Sequence, residues 1–218
     1  MGDIVLAGAT SGTTTLTPTA VSGTTTLTLP ATTDTLVGKT TTDTLTNKTL
    51  TSPTISGTPV MSASVITSGT AVASTSGTSI DFTSIPSWVK RVTFPFAGIS
   101  TNSTSLIQLR IGSSAGIVVT GYVGSCWLAN TVNTAYSTGF TITASNAAAN
   151  NFSGICTLVL LNSASNLWAF SMSGGRDDGT GIVGGGYLAL SGTLDRVRLT
   201  TVNGTDTFDA GSINILYE

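Results

Sequence analysis

Residues Ser79–Gly98 read SIDFTSIPSWVKRVTFPFAG. In an extended chain successive side chains point to opposite faces, so Val92, Phe94 and Phe96 share one face while Arg91 and Thr93 share the other. This is the pattern of a strand with one face on a core. Pro95 inside the run predicts an edge strand or a bulge, because proline donates no ladder hydrogen bond. Working outward, the same texture recurs in SLIQLRIGS, GIVVTGYVGSCWLA, AYSTGFTITA, NFSGICTLVLLN, LWAFSMSGG, GYLALSG, LDRVRLTTV and SINILYE. Between the last two, Asn203-Gly204 predicts a tight hairpin turn. Eight to ten short strands with glycine-rich turns read as a β-sandwich of jelly-roll type covering residues 76–218.

Composition agrees with an all-β chain. Charged residues make up 8 % of the 218, there is no histidine, and β-branched residues outnumber the strong helix formers. The net charge of −2 and the scattered basic residues argue against a nucleic-acid partner. No apolar run is long enough to cross a membrane, and residues 1–12, MGDIVLAGATSG, lack the basic and apolar regions of a secretion signal. The expectation is a protein made in a cytosol and not exported by the usual route. Cys126 and Cys156 both lie in apolar strand-like runs and read first as small buried hydrophobes, with a disulfide between neighbouring strands as the alternative.

The first sixty residues have another character. They hold 22 threonines and two short repeats: GTTTLTP at Gly12 returns as GTTTLTL at Gly23, and DTLVGKT at Asp34 returns as DTLTNKT at Asp43. Each copy reads as a short strand closed by a turn, and a unit that small needs neighbours to bury a face. Thirteen large aliphatics are too few to offset the ordering of sixty residues of backbone, so a lone copy of this arm is not expected to fold. Among these aliphatics Leu16, Leu27, Leu29, Leu36, Leu45, Leu50 and Ile55 are the expected contacts between copies. A third feature points the same way. From Ile111 to Gly175 there is no charged side chain, which predicts burial against other subunits rather than a merely neutral exterior.

The run TDTLTNKTLTSPTISG, Thr42–Gly57, with the GTTTLTP…GTTTLTLP arm before it and IDFTSIPSWVKRVTF…STNSTS after it, resembles tail-fibre and other virion appendage proteins of tailed bacteriophages. The resemblance implies a homotrimer assembled in the host cytoplasm and carried on the virion. Residues 1–33 would form the attachment arm, contacting other virion proteins. Residues 34–75 would form a thin intertwined β shaft, and 76–218 a distal domain facing the host. A capsid decoration, cement or head-fibre protein is the alternative, and a polysaccharide-degrading tailspike a second one.

Chemistry-bearing motifs are few. Without histidine there is no Ser-His-Asp or Cys-His catalysis and no histidine metal site. GIVGGGY at Gly181 lacks the lysine and the following helix of a phosphate loop and predicts a β-turn. Paired carboxylates for glycoside hydrolysis are sought at Asp177, Asp178, Asp195, Asp206 and Asp209. Adjacent aspartates point apart, and Asp195 beside Arg196 predicts a surface pair. Asp177 and Asp178 read as a solvated loop in preference to a calcium site. The expectation is a non-enzymatic chain with no cofactor, no bound metal, no nucleic-acid partner and no membrane insertion. A host-surface glycan or protein is the expected external partner, since neutral sugars are held by aromatic faces and hydroxyls. Trp88, Tyr136, Arg176, Asp177 and Asp178 are the candidate contacts, whereas Trp127 and Trp168 are expected in the core.

Overall fold

The computed structural model describes residues 4–7, 10–16, 44–57, 66–129 and 134–218. These divide into two units, Met1–Pro59 and Val60–Glu218. All described elements are strands, and their pairing is antiparallel throughout.

In the first unit β1 (Ile4–Ala7) pairs with β2 (Thr13–Leu16), Ile4 opposite Leu16. Val5 and Leu6 point to opposite faces of this hairpin, and both are exposed. Two strands alone bury neither face. Residues 44–57 contain no strand, and Leu45, Leu50 and Ile55 stand exposed along them. Leu27, Leu29 and Leu36 lie outside the described residues, as does the side chain of Leu16.

The second unit opens with β3 (Thr67–Ser68), β4 (Val72–Ala73), β5 (Ser79–Phe82) and β6 (Arg91–Thr101). It continues with β7 (Ile107–Ser113), β8 (Gly116–Ile117), β9 (Val123–Leu128), β10 (Thr134–Tyr136) and β11 (Phe140–Thr141). The long strands β12 (Phe152–Asn162), β13 (Leu167–Arg176) and β14 (Gly181–Ala189) follow, and the chain closes with β15 (Arg196–Thr201), β16 (Phe208–Ile213) and β17 (Leu216–Tyr217). The larger sheet has ten strands in the order β10-β9-β14-β13-β12-β6-β16-β4, with β17 pairing β6 and β3; the smaller has β11-β7-β15-β5, with β8 on β7. Thr67–Ser68 and Val72–Ala73, within the stretch 34–75 expected to be shaft, are thus strands of the larger sheet.

Both sheets contribute to one buried apolar cluster. Phe140 of the smaller sheet stacks on Phe170 of the larger with ring centroids 4.6 Å apart, and Tyr122 meets Phe140 edge-on at 4.8 Å. Phe82 of the smaller sheet meets Phe94 of the larger at 6.1 Å. Val92, Phe94 and Phe96 are buried as their alternation predicts, while Arg91 stands outside.

Three local expectations are corrected. Pro95 sits on an interior strand, not an edge: β6 lies between β12 and β16–β17, and the ladder breaks at Asn214–Ile215, opposite the missing N–H. Only one of the two bonds of that pair forms, from Asn214 N–H to Pro95 O. Asn203-Gly204 makes a turn, with Gly204 at φ 71°, but no hairpin, because β15 belongs to the smaller sheet and β16 to the larger. GIVGGGY is a strand rather than a turn. Its glycines admit a close neighbour, since a Cβ on Gly186 would fall 2.3 Å from Val123 O and 2.9 Å from the Tyr136 hydroxyl.

Cys126 and Cys156 are free and buried. Cys126 pairs with Gly184, Gly184 with Met172, and Met172 with Cys156. Three strand spacings, about 14 Å, separate them, beyond the ~7 Å that a disulfide spans. Burial pushes the Cys126 thiol up to about 12 and the Cys156 thiol higher, and pushes the buried Tyr122 phenol up to about 12. Above the ordinary thiol value the unfolded chain releases these protons and the folded chain keeps them, so stability is lost as pH rises from about 9 towards 12. The melting temperature should fall across that window, and thiol reagents should label neither cysteine until the body unfolds. Constant melting temperature from pH 8 to 11 would contradict this placement.

Candidate functional surface

The chemistry-bearing side chains singled out from the sequence do not converge. Arg176 ends β13 and Asp177 and Asp178 begin the turn to β14; Arg176 pairs with Asp178, and Asp177 accepts from Asn151 Nδ2 at 3.0 Å. The Arg176 guanidinium, with the Thr180 hydrogen bonds, holds the Asp178 carboxyl well below the usual carboxylate range. A carboxylate so anchored stays ionised and is unsuited to donate a proton. Trp88, 53 % exposed, lies on the β5–β6 loop. That loop sits at the other end of β12: Phe152 pairs with Arg176, whereas Leu160 N–H donates to Lys90 O eight residues on. Eight residues of strand span about 26 Å, so the two groups serve different ends of the body.

Tyr136 turns inward. Its ring meets Phe140 edge-on at 6.2 Å and its hydroxyl donates to Gly185 O at 2.9 Å. Asp195 forms the expected pair with Arg196, 2.7 Å. Asp206 accepts from Ser105 N–H at 2.9 Å and from Asn203 Nδ2 at 2.6 Å. Among the described residues no three His, Cys, Asp or Glu side chains gather as metal ligands.

What does converge is the outward face of the larger sheet. Trp168 is 1 % exposed, as expected of a core residue, but Trp127 is 54 % exposed and faces out between the buried Cys126 and Leu128. The register puts Trp127 beside Val183, Val183 beside Ser173, Ser173 beside Ile155, and Ile155 beside Pro95. Four residues along the strands a second row runs Val123, Tyr187, Ala169, Val159, Arg91. Between these two ridges lies a row of small groups: Ser125, Gly185, Ser171, Thr157 and Thr93. Shallow hollows follow that middle row, lined by Ser125 and Gly185 at one end, by Thr157 and Ser171 in the middle, and by Thr93 and Leu216 beyond.

The only charges in these rows are at one margin, where Arg91 pairs with Glu218 at 2.5 Å. Charge instead decorates the smaller sheet, on which Arg198 grips Asp81 through two hydrogen bonds of 2.6 and 2.8 Å and stands beside Arg110. The Arg91–Glu218 pair is half-exposed, and its contribution should be small: Glu218→Gln should shift stability by less than about 1 kcal/mol in a denaturant titration.

Five of the residues on the outward face, Val123, Trp127, Ile155, Val159 and Leu161, come from the charge-free run Ile111–Gly175. The missed residue is Trp127. A single indole in YVGSCWLA carries no mark of its side, since apolar residues flank it at both parities. No family model, no curated protein and no solved structure matches the chain.

Proposed function

We propose that this chain is a structural, non-enzymatic subunit of a tailed-bacteriophage particle. It assembles as a homotrimeric fibre that is fixed through residues 1–33 and presents its C-terminal β body to the host. One observation carries the reading: the described arm leaves its large apolar side chains, Val5, Leu6, Leu45, Leu50 and Ile55, exposed, with no layer of its own to cover them. Such side chains gain cover from identical arms, and threefold symmetry offers each arm two. The resemblance of TDTLTNKTLTSPTISG to virion appendage proteins supplies the setting. In this reading the body is a β-sandwich, supported by the aromatic pairs joining the two sheets. Because β12, β13 and β14 succeed one another as direct neighbours, the larger sheet favours a meander over the crossings of a jelly roll.

Antibodies against the full chain should decorate particles of the phage that encodes it, and purified chain should compete saturably for adsorption to host cells. Unchanged adsorption with loss of thermal resistance in particles lacking the chain would favour a capsid cement. Release of reducing ends from host polysaccharide would favour a spike.

A further inference from the structure

We infer that the outward face of the ten-stranded sheet is a second subunit contact, covered in the assembled protein by another copy of this chain. The inference rests on the homotrimeric reading above and adds where the bodies, as distinct from the arms, meet. The first ground is size. Five strands at about 4.8 Å and six residues at about 3.3 Å make a face of roughly 24 by 20 Å, near 480 Å² in plan. Apolar ridges across a face of that extent mark an interaction site, and the arms add their share towards the about 800 Å² per partner that a stable contact buries. The two ridges, through Trp127, Val183 and Ile155 and through Val123, Tyr187 and Val159, would supply the apolar contact, with the small groups of the row between them and the Arg91–Glu218 pair at one margin.

The second ground is chemistry. Of the seven large side chains exposed here, five are aliphatic: Val123, Ile155, Val159, Leu161 and Val183. Branched aliphatics pack well into a matching surface but give a sugar little of the flat aromatic platform it stacks on. A charged patch would repel its own copy; this face, neutral except at one margin, meets a copy without unpaired charge. Its relief also suits a copy, because the low row through Ser125, Gly185 and Ser171 is a trough that a ridge like Trp127–Val183 can fill. The third ground is proximity. Arms that hold copies together raise the effective concentration of one body near the next to the millimolar range, so a modest contact closes.

The test is fluorescence quenching of the full chain carrying Trp88→Phe, which leaves buried Trp168 and face-borne Trp127 as the indoles. In the assembled protein acrylamide should quench weakly, and Val183→Asp, an outward substitution, should raise the quenching constant several-fold with an unchanged far-ultraviolet dichroism spectrum. Full quenching of Trp127 in assembled protein overturns the inference while leaving the appendage reading intact. Trp127 open in the assembled protein but shielded by added neutral oligosaccharide would overturn it in favour of a glycan site. A monomer at every concentration removes both proposals. The quenching of assembled protein is decisive even if Val183→Asp fails to fold.

Discussion

Replacing Trp168 by alanine is expected to cost the body about 3–5 kcal/mol, the range for emptying a fully buried large aromatic site. Trp168 is 1 % exposed on β13, flanked in register by Leu160 of β12 and Leu188 of β14. Little there can close over the space, since the long strands are pinned on both sides by their ladders. Its indole N–H finds no acceptor among the described residues, so Trp168→Phe removes an unsatisfied donor along with ring volume and should cost much less than the alanine change. Trp88→Ala, on an exposed loop, should stay within about 0.5 kcal/mol. Denaturant midpoints at constant slope measure all three. Equal losses at positions 168 and 88 would contradict the placement of the core.

Gly211→Ala should be nearly as damaging. Gly211 has φ 90°, where L side chains are strained, and an added Cβ would lie 2.4 Å from Gly98 O and 2.5 Å from Ile99 N. Both obstacles are backbone, so no side chain can swing aside. The site is where the β16–β6 ladder slips register, between Ala210 and Ser212, and glycine there lets two bulged strands touch. Strain and clash together should exceed about 3 kcal/mol, roughly the upper cost of a forced backbone conformation. Gly204→Ala is the control: φ is 71°, but nothing lies within 4 Å of the new Cβ, so about 1 kcal/mol is expected. Similar losses at 211 and 204 would show that conformation alone, without the close approach, sets the cost.

The strands of the body were legible because one-sided alternation is a local property: Val92, Phe94 and Phe96 announce their face within six residues. Which sheet a strand joins was not legible. Asn203-Gly204 carries the chemistry of a hairpin turn, yet the chain uses that turn to pass from the smaller sheet to the larger, a choice made by packing on either side. GIVGGGY misled for a related reason. Glycines that elsewhere signal a turn here make room for Val123 O and the Tyr136 hydroxyl from neighbouring strands, partners distant in sequence.

The outward face left a trace in the sequence. The absence of charge from Ile111 to Gly175 falls on the strands that carry this face. The finer mark was ICTLVLL, Ile155–Leu161, apolar at both parities, the pattern of a strand covered on both faces. Cys156 and Leu158 enter the core while Ile155, Val159 and Leu161 stand outside. Tyr136 shows the converse: among polar neighbours it looked like a loop residue, and only the glycines across the sheet reveal the slot that receives it.

Light scattering on the intact, folded chain tests the central claim most directly. If the arm and the outward face find their cover on identical copies, the mass should be three times the 22.0 kDa of one chain and should hold on dilution to nanomolar concentrations. A folded species of 22.0 kDa at every concentration, with native dichroism and an ordered arm, would contradict it.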